Sequence, residues 1–516
     1  MIVRGISIAR LRFLPFRWQA VLALSLLTAA YLVHFYYCAM SALPEFSELF
    51  VNSDMYGNLQ WARQITEQGW LNPHPYHHFV DFMKEVAPYE TWMRWYGGEA
   101  IFQRSPLFTY VLAAFLKLSP NLLFYHLFQC LSGVLLCALI GILARVTFEN
   151  RAIGWLAFAI SGIYAPFYVY AWPLIRDFLS WNIIVASMLT LTLWWRAWNV
   201  RPPSWRLSML TGFLLGLGFL SRETFSPIIM LGFLLMAVKS FRHQSYRPFL
   251  SAVIFTALTV SPLAYRNAMA GAPLLSSSNR FAECFIVGNA ASGEPHLPSL
   301  PVEFGDLLRK SDGKKWAVIR ETLATHRDHP MGLVTLQIRK VLALFDPFEA
   351  SDNLSYYFME DISPLVRWGL PHWLILIPGI GGLLLGIRRR DTRQIWFWLF
   401  MFTMLAGLAS TRPISRYRQT LALLWIPWCS YFVVSAWEAA RQGHARRNVS
   451  LALGFLVVGW CLCLGPLARH PRSHYHRPLE YDLAAYIYEL QGEKENARWI
   501  RERYDERMRN SRPRNQ

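Results

Sequence analysis

The sequence has few charged residues and few cysteines, and each shortage excludes a class of protein. Charged residues make up 16% of its 516 residues and hydrophobic residues make up 54%. The seven cysteines are scattered, mostly within apolar segments, which excludes a disulfide framework or zinc site of recognisable spacing. The lysines and arginines form no continuous basic face, so the net charge of +18 does not indicate binding to nucleic acid.

Long apolar segments are abundant instead. A membrane-spanning helix needs about 20 mostly apolar residues, and the sequence predicts an all-α polytopic membrane protein with about eleven such helices. A further apolar segment, 106–118, is too short to span and is predicted to lie at the membrane interface. The predicted spans are 18–38, 121–144, 152–171, 178–196, 207–221, 224–239, 248–265, 366–387, 394–410, 418–437 and 449–467.

Basic residues in the short loops predict the orientation, because cytoplasmic loops are rich in Lys and Arg. If 106–118 does not span, every basic connection faces the cytoplasm, with the N-terminus inside and the C-terminus outside. The basic residues concerned are Arg4, Arg10, Arg12, Arg17, Arg145, Arg151, Arg196, Arg201, Arg206, Lys239, Arg242, Arg247, Arg388, Arg389, Arg390, Arg393, Arg441, Arg446 and Arg447.

Two long segments then fall on the outer side. Residues 39–120 form the first loop, with interfacial helices, and residues 266–365 form the large loop, which is too long to be a simple connector. The large loop is predicted to be a small helical and irregular domain. Residues 1–467 would form one transmembrane domain. The charged tail at 468–516, predicted to lie outside, carries no recognisable chemistry.

Polar residues gather at the outer ends of the predicted spans, where ionisable groups often mark function. In the first loop, Ser53 or Asp54 could cap an amphipathic helix, or the Asp54 carboxylate could act as a general base. His74, His77 and His78 suggest a metal site, but two adjacent histidines suit ligation poorly in a regular structure.

Three more charged clusters are predicted on the same side. Arg104 precedes the interfacial helix and could simply mark a helix start. Arg176 and Asp177 could form a local surface pair, or Asp177 could be a second acidic group facing the cavity of Asp54. Arg222, beside Glu223, could snorkel to lipid head groups or neutralise a lipid phosphate.

The last two clusters border the later spans. Arg266 and Asn267 precede a Ser/Gly-rich stretch that ends at Asn289, which is typical of a loop or of a backbone that approaches a sugar or phosphate closely. Arg416 and Tyr417 begin the tenth span, as an interfacial anchor or as ligands of a phosphate.

The order and spacing of these clusters resemble the C-type (GT-C fold) membrane glycosyltransferases over roughly residues 18–440. The most similar branch comprises bacterial relatives of protein O-mannosyltransferases and of the lipid A aminoarabinose transferase (glycosyltransferase families 39 and 83). Met55 stands where many members have a second acidic residue, and Ser105 where they have proline. The matching residues are Asp54, Tyr56, Ala62, Arg104, Pro106, Leu107, Asp177, Arg266, Asn267, Gly271, Gly288, Asn289, Arg416 and Tyr417.

The resemblance implies a GT-C-like bundle at the outer face of the cytoplasmic membrane. A sugar would pass, with inversion, from a polyprenyl-phosphate donor to a hydroxyl of a glycan, lipid or protein. No cofactor is required, no metal ligand is assigned, and a divalent cation could assist. The expected roles are catalysis by Asp54 and Asp177, phosphate binding by Arg104, Arg222, Arg266, Arg416 and Tyr417, and substrate binding by Tyr56, Asn267, Asn289 and Glu223.

Two other functions fit a membrane protein of this kind: a transporter or flippase of a lipid-linked sugar, and an inactive assembly subunit. Transporters often show broken helices and charges near the middle of the bilayer. Here the charges lie mostly at the ends of the spans, which favours the transferase.

Overall fold

The computed structural model describes residues 16–294, 299–389, 394–411, 414–441, 445–464 and 477–511. Within these ranges the regular structure is helical, apart from one isolated β-bridge between Tyr164 and Leu370. The predicted all-α class is confirmed.

The described helices fall into a first half and a second half of the chain. Those of the first half are α1 (Phe16–Ala39), α2 (Leu43–Leu49), α3 (Asp54–Gln68), α4 (Asp81–Val86), α5 (Tyr89–Tyr96), α6 (Leu107–Leu118), α7 (Leu122–Phe148), α8 (Arg151–Gly162), α9 (Ala165–Tyr170), α10 (Asp177–Ala197), α11 (Trp205–Ser221), a 3-10 turn (Glu223–Phe225), α12 (Ser226–Arg242) and α13 (Arg247–Met269). Those of the second half are α14 (Phe281–Asn289), α15 (Phe304–Ser311), α16 (Lys315–Ala324), α17 (Pro330–Ala343), α18 (Tyr356–Ile362), α19 (Pro364–Arg367), α20 (His372–Arg389), α21 (Ile395–Ser410), α22 (Ser415–Arg441), α23 (Ala445–Leu464), α24 (Pro478–Leu490) and α25 (Lys494–Ser511).

Several helices have the length and composition of membrane spans, so the protein is a multi-pass membrane protein. The six that are long and apolar enough, among the described residues, are Trp18–Ala39, Leu122–Phe148, Asp177–Ala197, Glu223–Arg242, Arg247–Met269 and Ser415–Arg441. Shorter apolar helices lie at Leu107–Leu118, Trp205–Ser221, His372–Arg388, Trp396–Leu408 and Ser450–Leu464. The count of eleven spans and the orientation stay predictions. Of the basic residues behind them, Arg4, Arg10, Arg12, Arg390 and Arg393 lie outside the described residues.

The predicted span 152–171 is divided into α8 and α9, which corrects the single helix expected there. The N–H of Ala165 donates to the carbonyl of Leu370 (3.0 Å), and the N–H of Leu370 donates to the carbonyl of Ile163 (2.7 Å). Pro166 has no N–H to continue the helical ladder. The backbone N–H of Ala165 and the carbonyl of Ile163, which a continuous helix would have bonded internally, therefore bond to Leu370 instead.

Helices α11 and α13 approach each other closely at Gly212. A Cβ atom on Gly212 would lie 2.1 Å from the backbone carbonyl oxygen of Ala252, whereas one on Gly218 would lie 3.9 Å from its nearest neighbour, in Ile229. The contact at Gly212 involves backbone, which cannot move aside as a flexible side chain can. The lack of a side chain at Gly212 thus sets the distance between the two helices.

Gly212→Ala is expected to destabilise the protein by about 1–3 kcal/mol, as is typical of overpacking. Gly218→Ala, in the same helix, is the matched control and should leave stability unchanged or slightly higher, because alanine favours helix. Thermal unfolding of the detergent-solubilised variants measures both. Equal midpoints for the two variants would contradict the close approach.

The first loop and the large loop fold against each other. A small core of buried side chains joins them, with Trp92 and Met83 from the first loop and Ile286, Phe304 and Leu308 from the large loop. The two loops therefore form one wall above the ends of the spans.

The tail also packs onto this wall. We call residues 477–511, which contain α24 and α25, the C-terminal hairpin. The hydroxyl of Tyr488 accepts from the N–H of Ala42 at 3.3 Å, and Gln491 donates to Glu45 at 3.1 Å. The segment predicted to carry no chemistry thus lies against the first loop.

Candidate functional site

A cavity of about 460 Å³ lies where both loops and the C-terminal hairpin meet the ends of the spans. Its lining is rich in charge. The charged residues that line it are Asp54, Arg104, Arg176, Glu223, Arg280, Glu283, Asp352, Arg416 and Arg477.

Asp54 is the first residue of α3, and its carboxylate faces this cavity. The cap of the helix is supplied by Ser53, whose side chain accepts from the N–H of Tyr56 at 3.2 Å. Because Ser53 does the capping, the Asp54 carboxylate is available for other contacts. Its Oδ1 lies 2.5 Å from Arg104 Nη2 and its Oδ2 lies 2.9 Å from Arg416 Nη1.

Burial alone would raise the pKa of Asp54, but the charges of Arg104 and Arg416 outweigh it and hold the pKa well below its ordinary value. Asn353 adds two hydrogen bonds: its Nδ2 donates to Asp54 Oδ2 (3.1 Å), and its Oδ1 accepts from the Asp54 N–H (2.6 Å). The carboxylate is therefore ionised at neutral pH and fixed in position.

Arg416 connects Asp54 to two further carboxylates. Its Nη2 lies 3.0 Å from Asp352 Oδ2, and its Nε lies 3.7 Å from Asp177 Oδ2. Its guanidinium also lies over the ring of Tyr417, 5.0 Å from the centroid. One arginine at the start of α22 thus joins residues from the first loop, α10 and the end of the large loop.

Asp177 lies behind Arg416 and is not part of the cavity lining. Its Oδ1 is 2.6 Å from Arg222 Nη1, and both side chains are buried. Arg222 in turn lies over the ring of Tyr417, at 5.2 Å. This placement makes Asp177 a support for two arginines and argues against the direct catalytic role expected from the sequence.

Arg176 pairs with Glu223, which corrects the local Arg176–Asp177 pair considered from the sequence. The two side chains meet with N–O distances of 3.0 and 3.3 Å, and Ser105 donates to the same glutamate at 2.5 Å. Glu223 therefore faces the cavity with both of its oxygens engaged.

Arg266 lies outside the cavity and serves the loops. It donates to the backbone carbonyls of Asn72, Pro73 and Ala100 and lies over the ring of Phe102, 4.2 Å from its centroid. With its donors on carbonyl oxygens it is placed to fix the path of the first loop. Its expected role as a phosphate ligand stays a prediction, and the cavity lining does not include it.

The amides of Asn267 and Asn289 also make hydrogen bonds within the large loop. Asn267 Nδ2 donates to three carbonyl oxygens of residues 273–276, and Asn289 Oδ1 accepts from Gln337 and Lys340. Neither lines the cavity.

Tyr56 does not line the cavity either, and its ring lies 5.8 Å from that of His78. The three residues expected to bind substrate at positions 56, 267 and 289 are thus placed away from the cavity. Of that set, Glu223 alone belongs to the lining.

His77 and His78 each bond a backbone carbonyl through Nε2, of Ile101 and Val51 respectively, both at 2.8 Å. They hold the first loop together. Within the described residues, no group of three or more His, Cys, Asp or Glu side chains is arranged to hold a metal ion.

Several residues of the site had no signal in the sequence. Asp352 and Asn353 reach Asp54 and Arg416 from the end of the large loop, and Arg280 and Glu283 lie at the start of α14. Arg477 comes from the C-terminal hairpin. Each lies in a polar stretch of the sequence, and the sequence alone does not distinguish a charged residue of the site from a charged residue on the surface.

Burial, and after it the charge of Arg104, lowers the pKa of His78 from 6.5 to about 4. Between these values the unfolded ring binds a proton and the folded ring does not, so stability falls as the pH falls. His78 should by itself contribute a loss of about 2 kcal/mol between pH 7 and pH 5. Thermal midpoints across this range measure it. His78→Gln should flatten the slope and the exposed His74→Gln should keep it; equal slopes would contradict the assignment.

The fold and the cavity together define a multi-pass membrane protein whose charged site lies at the ends of its helices. Residues 103–265 match the family model described as dolichyl-phosphate-mannose-protein mannosyltransferase. The stretch includes Arg104, Asp177, Arg222 and Glu223. Over this part of the chain, the match confirms the resemblance to the C-type membrane glycosyltransferases.

The chain is also similar to solved structures of the Archaeoglobus fulgidus oligosaccharyltransferase. With the apo form it shares 13% identity over 95% of this chain and 60% of that chain, with a TM-score of 0.46. With the complex with Zn and sulfate it shares 13% identity over 94% of this chain and 57% of that chain, with a TM-score of 0.47. With the complex of AglB with an inhibitory peptide and a dolichol-phosphate it shares 13% identity over 87% of this chain and 55% of that chain, with a TM-score of 0.44. The chain thus spans less than two thirds of these proteins. No curated protein matches the sequence.

Proposed function

We propose that the protein is a membrane glycosyltransferase that moves a sugar from a polyprenyl-phosphate donor to an acceptor hydroxyl, with inversion. The observation that carries the proposal is the Asp54 carboxylate held between Arg104 and Arg416 in a cavity at the helix ends. The family match over residues 103–265 supports the reaction class and makes mannose the first sugar to test.

In the proposed reaction the acceptor oxygen attacks the anomeric carbon of the sugar. A C–O bond to the acceptor forms while the bond to the lipid phosphate breaks, and the electron pair of that bond stays on the phosphate. Asp54 takes the hydroxyl proton. A base positioned in this way contributes about 10²- to 10⁴-fold to the rate.

The arginines suit the leaving phosphate, whose negative charge grows as the bond breaks. Arg104 and Arg416 line the main cavity, and Arg222 lines a smaller adjoining cavity of about 80 Å³ together with Tyr417. This smaller cavity reaches α21 at Gly407. We place the phosphate between the two cavities, with the lipid chain leaving beside α21.

The sidedness of the site belongs to the same proposal. The basic loops predict that these helix ends face away from the cytoplasm, so that a donor in the outer leaflet of the cytoplasmic membrane would supply the sugar.

A direct assay tests the proposal. Purified protein is incubated with radiolabelled polyprenyl-phosphate mannose and a crude envelope acceptor, with and without a divalent cation. A transferase releases free lipid phosphate and labels the acceptor. A flippase moves the intact lipid between leaflets, so an unbroken sugar–phosphate bond together with movement across vesicles would overturn the proposal.

A further inference from the structure

Two arginines of the cavity lining, one from the large loop and one from the C-terminal hairpin, each pair with a glutamate at the same spacing. Arg280 directly precedes α14 and pairs with Glu283, three residues on, at 2.7 Å. Arg477 directly precedes α24 and pairs with Glu480, again three residues on. One pair comes from the middle of the chain and the other from its end.

In both pairs the glutamate is buried and the arginine faces the cavity. The side chains of Glu283 and Glu480 are 6% and 0% exposed, whereas those of Arg280 and Arg477 are 25% and 23% exposed. Glu283 also accepts from the Tyr96 hydroxyl. A buried carboxylate behind each guanidinium fixes its orientation, and the N–H groups not used by the glutamate can then donate to a ligand.

The C-terminal hairpin is held firmly enough to keep Arg477 in place. Asp361 at the end of α18 is the anchor, with a fully buried side chain that binds Arg507 (2.6 and 2.9 Å), Arg503 (3.1 Å) and the hydroxyl of Tyr481 (2.9 Å). The ring of Tyr481 also packs edge-on against Phe358, 5.1 Å away. Three side chains of the hairpin thus bind one buried carboxylate, so the segment that looks like a charged tail in the sequence is docked onto the fold.

We propose that the part of the cavity lined by Arg280 and Arg477 is the acceptor subsite. There the two arginines would bind an acidic group, carboxylate or phosphate, on the acceptor. This inference rests on the proposed transferase. Guanidinium groups fixed in orientation suit the planar oxygens of such groups. The donor phosphate is assigned to Arg104, Arg222 and Arg416, so Arg280 and Arg477 are the arginines of the further lining that are left for the second substrate.

The test compares Arg477→Gln with Arg501→Gln, a control on the same hairpin whose exposed arginine pairs with Glu489 away from the cavity. Transfer from radiolabelled polyprenyl-phosphate mannose is measured against increasing envelope acceptor. We expect the acceptor KM of Arg477→Gln to rise about 10- to 100-fold, the range typical of one charge-assisted hydrogen bond. The donor KM and kcat should stay within about twofold, as should all constants of Arg501→Gln.

Two treatments of the acceptor identify the acidic group. Phosphatase removes phosphate monoesters, and carbodiimide with methylamine neutralises carboxylates. One of the treatments should raise the wild-type KM and leave that of Arg477→Gln almost unchanged. If neither does, the acidic acceptor is refuted.

Arg280→Gln tests the same subsite through a residue of the large loop. It keeps the proposal testable if Arg477→Gln fails to fold. Protease protection of the hairpin reports docking directly. An unchanged acceptor KM in both arginine variants, with an active wild type, overturns the acceptor subsite alone. A wild type that transfers no sugar overturns the proposed function as well.

Discussion

Asp54→Asn is expected to lower sugar transfer by about 10²- to 10⁴-fold, the contribution of a positioned general base. The amide has nearly the same shape, but it cannot take the acceptor proton as it attacks. Arg104 and Arg416 remain in place to bind the donor, so the donor KM should change far less than kcat. The initial rate of lipid-phosphate release measures the effect.

Two control variants separate the loss of the base from the loss of an ion pair. Asp352→Asn removes another partner of Arg416 but no base, and should retain most of the kcat. Asp81→Asn changes an exposed carboxylate of the first loop that pairs with Lys84, and should be neutral. Wild-type transfer by Asp54→Asn would refute the assignment.

The pH dependence provides an independent check on Asp54. Because the two arginines hold its pKa well below the ordinary value, its base form persists as the pH falls through the range in which an ordinary aspartate is protonated. Between pH 7 and pH 5, Asp54 should therefore contribute no acid limb to the transfer rate.

Breaking the Asp177–Arg222 pair is expected to cost about 3–5 kcal/mol of stability, because each single change leaves an uncompensated charge in a buried site. Asp177→Asn and Arg222→Gln should each show this loss in thermal or denaturant unfolding. The double variant should recover a large part of it, since neither charge then remains without its partner.

The exposed pair Arg63–Glu48 is the matched control. Removing either of its partners should cost about 0–1 kcal/mol, since both side chains are more than a third exposed.

The stability and the kcat of Asp177→Asn together decide the role of Asp177. A near-normal kcat per folded Asp177→Asn molecule identifies a support of the arginines, whereas a loss of kcat without a loss of stability restores the catalytic role.

Much of the architecture could be predicted from the sequence, because apolar runs of helical length have few alternatives in a membrane. The helices at 18–39, 122–148 and 177–197 lie where the runs predict them. The position of a charge at the end of such a run also follows from the sequence. Asp54, Arg104 and Arg416 could thus be predicted to lie at helix ends, and the structure brings them together.

What the sequence by itself determined was which residues stand at the ends of the helices; only the tertiary structure decided what each of them meets there. Arg266 and Arg416 look alike in the sequence, yet one binds loop carbonyls and the other binds Asp54. Asp177 faces a buried arginine, and Arg477 reaches the cavity from the end of the chain. The physical reason is that hydrophobicity acts on whole segments, whereas a hydrogen bond needs two atoms within about 3 Å, and that distance is set by the paths of loops remote in sequence.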